Sequence, residues 1–156
     1  MKKAFKVSVI TAFCIYVLFV ISILFLRNQY AGNISFAQYI KYFSNFVPFK
    51  TISNYVTCLF SESINPGLVY RNILGNLFLF MPLSPFLYCF MKDMRKIASN
   101  MLLVFLFIIL AETVQIAFRI GSFDVDDIIL NMLGALLGYL IIRIKPINNI
   151  IVRLFS

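Results

Sequence analysis

Histidine is absent from this 156-residue chain, and so is tryptophan. Without imidazole there is neither histidine base catalysis nor a histidine-ligated zinc site. The three cysteines, Cys14, Cys58 and Cys89, lack metal-ligand spacing, and only Cys58 falls outside the apolar runs. Neither a thiolate metal site nor a structural disulfide is therefore expected. Acidic residues are scarce, six against fourteen Lys and Arg. No glycine-rich phosphate loop and no nucleophile elbow occurs. What remains for chemistry is carboxylate, amide and guanidinium.

What the chain does have is apolar length. It is 62% hydrophobic and 13% charged, with a mean hydropathy of +0.92, far from the balance of a soluble domain. A bilayer-spanning helix needs about 20 mostly apolar residues, and four such runs occur, at about 7–26, 73–91, 101–120 and 128–144. An all-α membrane protein forming one domain over 1–156 is the expected fold class. The first run has a basic start but is longer than the apolar core of a signal peptide and lacks its small-residue end, so it reads as an uncleaved anchor. Pro82 and Pro85 fall inside the second run and predict a kink, since each removes a backbone hydrogen bond. About eight residues separate the last two runs, which predicts a tight antiparallel hairpin.

Basic residues orient the bundle. With a cytoplasmic N-terminus, Lys2, Lys3, Lys6, Lys92, Arg95, Lys96, Arg143, Lys145 and Arg153 lie inside, while Arg27, Lys41, Lys50, Arg71 and Arg119 lie outside. That bias places both termini of a multi-pass protein in the cytoplasm. Of the acidic residues beyond the spans, only Asp93 is then inside, against Glu62, Asp124, Asp126 and Asp127 outside. The net charge of +8 sits beside the spans, where it attracts anionic headgroups, so nucleic acid is not an expected partner. Residues 28–70 are not a hydrophilic linker: Phe36, Tyr39, Ile40 and Phe43 recur at helical spacing before Pro48. That pattern fits an amphipathic interfacial helix or a segment packed over the mouth of the bundle.

The polar residues concentrate between the third and fourth runs, in "AETVQIAFRIGSFDVDDIILNMLGALLG". At about 100° per residue, Glu112, Gln115 and Arg119 fall on one helix face, and Asp127, Asn131, Gly134 and Gly138 fall on another. Gly134 and Gly138 have the spacing that lets a second helix approach closely. Asn72, Gly75 and Asn76 share one side of the second run, with Gly75 a further packing candidate. A charge near the middle of a span costs about 3 kcal/mol, so Glu112 must pair, protonate or line a hydrated cavity. In the DVDD run, Asp126 or Asp127 is expected to cap the last helix.

The series Asn45, Pro48 and Phe49 in "NFVPFKTI", then "GNLFLFMPL" from Gly75, then Glu112, Gln115, Arg119, Ser122, Asp124, Asp127, Asn131, Gly134 and Gly138 resembles the VanZ-like family of small bacterial membrane proteins. The resemblance covers roughly residues 40–142. It implies a protein of the cell envelope, since the family's namesake is associated with low-level resistance to the glycopeptide teicoplanin; it supplies no reaction.

Two functions follow as expectations. One is a binding or modulating protein whose outer-leaflet pocket, formed by Asn76, Glu112, Gln115, Arg119, Asp127 and Asn131, holds a membrane lipid, a lipoglycopeptide or a lipid-linked envelope precursor. Arg119 is then the anion contact. The other is an intramembrane enzyme in which Glu112 acts as general acid or base while Asp124 and Asp127 hold Mg²⁺ or Ca²⁺ against a phosphate oxygen. No cofactor is otherwise evident. A transporter or channel component, the third possibility, is disfavoured by four spans with a single intramembrane carboxylate.

Overall fold

A computed structural model describes residues 2–25, 34–61 and 65–155. Leu26, Arg27, Glu62 and part of the 28–70 segment lie outside the described residues. Four helical stretches are long and apolar enough to cross a membrane: α1 (Lys2–Phe25), the stretch Pro66–Phe90, and two later helices, Ile97–Ala117 and Val125–Arg143. All four apolar runs of the sequence are therefore helical, though the second helix starts seven residues before the apolar run at about 73.

The second stretch is two helices. α4 (Pro66–Leu79) and α5 (Leu83–Phe90) are separated by residues 80–82, so the expected kink is a full break. Its backbone accounting follows from the prolines. Leu83 donates to Phe80 O at 3.1 Å, which leaves the Leu79 carbonyl without its usual i+4 partner. The Tyr16 hydroxyl of α1 donates to it at 2.9 Å. Pro85 has no N–H for Met81 O, and that carbonyl faces Gly138. A Cβ on Gly138 would stand 2.0 Å from Met81 O, and one on Gly134 1.7 Å from Leu77 O. The two glycines thus let the broken span lie backbone against backbone on the last membrane helix.

α1 is the outermost wall: none of its residues is buried, and Leu18 is 68% exposed on its lipid-facing side. The third spanning helix, α6 (Ile97–Ala117), buries Val104 and Ile108 in the core with Leu79, Phe80, Leu83 and Leu87. It begins after a 3-10 turn at Lys92–Arg95, where Asn100 Nδ2 donates to Met94 O and Ser84 O. It ends in a turn that brings Ile120 N to Gln115 O at 3.0 Å and Arg119 N to Ile116 O at 3.2 Å. Arg119 there takes φ 56, a left-handed position usually given to glycine. The fourth spanning helix, α7 (Val125–Arg143), packs against α4, α5 and α6.

Two short helices bridge α1 and α4: α2 (Phe36–Phe43) and α3 (Lys50–Phe60). α2 carries the amphipathic pattern read from the sequence. It is also tied to the bundle, because its Tyr39 is fully buried and donates to Gly121 O at 2.6 Å. α3 was not legible. Between α2 and α3, Ser44–Asn45 (β1) pairs in parallel with Phe123–Asp124 (β2), a two-residue sheet that an all-α reading omits. A last helix, α8 (Lys145–Phe155), follows α7 and packs on α1 and α5. Its Phe155 ring lies 6.2 Å from Phe5, so both ends of the described chain meet at one end of the bundle.

Candidate functional site

At the other end, two neighbouring carboxylates hold the connecting segments in place. Asp124 is the cap of α7: its Oδ1 accepts from Asp126 N at 2.9 Å and from Asn45 Nδ2 at 3.0 Å, and its Oδ2 from Thr51 Oγ1 at 2.6 Å. The capping expected of Asp126 or Asp127 therefore falls to Asp124. Asp126 instead caps a different helix, accepting Phe49 N and Ile52 N in the first turn of α3. Phe49, at φ 63, aims its N–H there. Asn45 closes the clasp by accepting Val47 N and donating to Val47 O. Asn45 and Phe49, picked out by the family resemblance, are thus the counterparts of the DVDD run.

Asp127 alone of the three borders a cavity of about 500 Å³, which it lines with Glu112, Gln115, Asn131, Asn76 and Arg71. α7 supplies Asp127 and Asn131 one turn apart, α6 supplies Glu112 and Gln115, and α4 supplies Arg71, Asn72, Gly75 and Asn76. Asn76 Nδ2 donates to Asp127 Oδ1. Gln115 Nε2 donates to Leu24 O of α1 at 2.9 Å, fixing the wall of the cavity. Asn131 Nδ2 donates to Asp127 O at 2.8 Å, which turns its Oδ1 outward from that bond. Glu112 is 6% exposed and Asn131 2% exposed, yet Glu112 Oε2 and Asn131 Oδ1 have no hydrogen-bond partner in the protein. Buried acceptors without donors cost roughly 1 to 3 kcal/mol each. Both residues border the cavity, and their two unpartnered oxygens are themselves enclosed by protein.

Three sequence expectations need correction here. Arg119 does not line the cavity. α6 ends at Ala117, so Arg119 has left the helix face that periodicity assigned to it. Its guanidinium lies over the rings of Phe36 and Tyr39, at 5.6 and 5.9 Å, and donates to Ile34 O at 3.1 Å. Among the described residues the cation at the cavity is Arg71, one turn before Gly75 on α4. Its four-residue spacing from Gly75, beside Asn72 and Asn76, is the signal in the sequence that marks it. Second, Gly75 is no packing glycine, since a Cβ there would meet nothing within 4 Å; it borders the cavity. Third, Asp124 and Asp127 do not share a site, because both Asp124 oxygens are engaged with β1, α3 and the α7 N-terminus. The expected metal pair is split accordingly. Among the described residues no cluster of three or more His, Cys, Asp or Glu lies together as metal ligands.

Tyr39 anchors the rim. Burial pushes its phenol above the ordinary range, against the opposing charge of Arg119, so it stays a neutral donor to Gly121 O. Tyr39→Phe is expected to destabilise the protein by about 1 kcal/mol, lowering the thermal midpoint by roughly 2–4 °C. An unchanged melting curve would show that the bond contributes nothing in the folded protein.

These features define a polytopic helical membrane protein with a polar cavity at the end of its bundle opposite the termini. The family model described as VanZ/LLP1 matches residues 13–146, and the chain belongs to that family. No curated protein matches it, and no solved structure does.

Proposed function

We propose that this VanZ/LLP1 family member works in the bacterial cell envelope by binding a lipid headgroup, or the lipid-bearing part of a lipoglycopeptide or lipid-linked envelope precursor, in the polar cavity. Glycopeptide susceptibility, teicoplanin included, changes as a consequence. The observation that carries this reading is the pairing of a 500 Å³ cavity with two buried, unpartnered acceptors, Glu112 Oε2 and Asn131 Oδ1. A carboxylate at such depth in a spanning helix marks function more often than structure. Arg71 takes the role first given to Arg119, contact with the anionic part of the headgroup.

Charge distribution supports an outward-facing cavity. Lys2, Lys3 and Lys6 head α1, Lys92 and Arg95 occupy the 3-10 turn, Lys96 caps α6, Arg143 closes α7 and Lys145 opens α8. All belong to the end where the termini meet. Under the positive-inside rule this clustering supports a cytoplasmic location for that end and an outer-leaflet location for the cavity.

The test is lipid retention and drug susceptibility in cells expressing wild type, Glu112→Gln, Asp127→Asn and Arg71→Ala at matched membrane levels. Each variant is expected to lose about tenfold in retained lipid, equivalent to about 1.4 kcal/mol. Unchanged retention in all three would reassign the carboxylates to holding the bundle together. The enzymatic alternative keeps Glu112 and Asp127 in one cavity but no longer has Asp124. Turnover of a polyprenyl phosphate by purified protein with Mg²⁺ or Ca²⁺, lost in Glu112→Gln, would favour it over simple binding.

A further inference from the structure

We propose that the exposed turn at residues 46–49 is an anchor that inserts into the headgroup and upper acyl region of the leaflet beside the cavity. The aromatic repeat read from the sequence is not what carries it. Tyr39 is buried, and Phe43 stacks on it with ring centroids 4.5 Å apart, so that face of α2 lies against the bundle. The outward apolar surface comes next in the chain. Tyr42, Phe46, Val47 and Phe49 are each more than half exposed, and Pro48 among them is exposed as well. A contiguous apolar patch costs free energy in water in proportion to its area, and such patches mark contact with a membrane or a partner.

Depth favours the membrane. β1 pairs Ser44 with Phe123 and Asn45 with Asp124, the two residues just before α7 enters its span at Val125. Phe46 follows directly, and its ring lies 5.3 Å from that of Phe123. The turn is thus held level with the end of a membrane helix, where headgroups lie and aromatic side chains gather. Lys41, in the last turn of α2, and Lys50, the first residue of α3, flank it and are exposed. Long cationic side chains on either side of an apolar turn fit lipid phosphates above an acyl layer.

The backbone of the turn gives an independent reason. A loop in water can leave its N–H groups to the solvent, whereas one sunk into the interface needs partners within the protein. Val47 N donates to Asn45 Oδ1 at 3.1 Å, Pro48 has no N–H, and Phe49 N donates to Asp126. Val47 O accepts from Asn45 Nδ2 at 3.2 Å and from Lys50 N at 3.4 Å. The donors of residues 47–49 are therefore all used inside the protein while the side chains stay exposed. Asp126, which holds the turn, directly precedes Asp127 of the cavity, so the anchor sets the height of the cavity against the leaflet.

Because the chain has no tryptophan, Phe46→Trp places a single fluorophore on the turn. Phe107→Trp, midway along α6, serves as the depth reference. Each full-length variant would be reconstituted in vesicles of phosphatidylcholine and phosphatidylglycerol brominated either near the glycerol or near the methyl end of the acyl chain, with iodide inside and outside as the aqueous quencher. The Phe46→Trp emission is expected to fall by about half with the shallow bromines and little with the deep ones or iodide, as burial of roughly 5–10 Å requires. Phe107→Trp shows the reverse order of bromines, which establishes that the bundle is inserted. Val47→Trp is expected to repeat the Phe46→Trp pattern, so a disturbed contact with Phe123 does not decide the result. Quenching of the turn by iodide and not by bromine would put it in water and overturn the proposal. Protection from all three quenchers would mean that protein covers the turn, and stronger quenching by the deep bromines would place it inside the span; either overturns the interfacial anchor. Lipid retained in the cavity is not read by this experiment, so the headgroup-binding reading stands or falls separately.

Discussion

Gly134→Ala is expected to lose about 3 kcal/mol or more of stability, enough to deplete folded protein from the membrane. The added methyl would stand 1.7 Å from Leu77 O and 2.8 Å from Leu77 C. Backbone atoms are what it meets, and a backbone cannot rotate aside as a side chain can. α4 and α7 must separate, which withdraws the core contacts of Leu79 and Ala135 and uncovers the carbonyls around the break at residues 80–82. Gly75→Ala is the matched control. Its Cβ meets nothing within 4 Å, and exchange of glycine for alanine inside a helix stabilises by up to about 1 kcal/mol. Helical circular dichroism of detergent-solubilised protein, followed on heating, reads both. A Gly134→Ala midpoint equal to wild type would mean that the two helices are not in backbone contact there.

Asp126→Ala is expected to be the most damaging change among the carboxylates, above either cavity residue. Asp126 is fully buried, and its two oxygens accept the N–H groups of Phe49 and Ile52. Truncation leaves both donors of the α3 first turn without a partner, and each orphan costs roughly 1 to 3 kcal/mol. Phe49 adds to the damage because its left-handed conformation, unfavourable for a bulky residue, is held by that bond. Hydrogen exchange at Phe49 and Ile52 should rise by orders of magnitude in Asp126→Ala. Asp126→Asn, which keeps one acceptor oxygen, should fall between. Equal protection in all three proteins would contradict the cap.

The contrast among the three neighbouring aspartates shows what sequence could and could not disclose. Hydropathy made four membrane helices legible, because a spanning helix must be apolar over a length fixed by the bilayer. Periodicity placed Asp127 and Asn131 on one face, and Gly134 and Gly138 below them, because α7 is regular throughout. It failed for Arg119, which lies two residues past the last helical residue of α6, where the 3.6-residue repeat no longer applies. Local pattern marks Asp124 and Asp126 only as site or cap residues of their own helix. Their partners, Asn45, Thr51, Phe49 and Ile52, stand more than seventy residues earlier, and no local pattern reports a bond across that distance. α8 went unseen because its polar residues, Asn148, Asn149 and Arg153, hold its hydropathy below that of a span.

The break in the second span also governs the order of biogenesis. The ribosome releases α4 and α5 first, while the glycines that receive Leu77 and Met81 follow more than fifty residues later. At usual rates of synthesis that interval is of order three to ten seconds. During it the interrupted helix has part of its backbone uncovered, and α7 has yet to arrive. A nascent chain stopped before Gly134 should therefore be held at the channel or degraded, whereas one extended past Gly138 is released as a bundle. The last spanning helix completes the second, and the protein enters the bilayer as a unit rather than one span at a time.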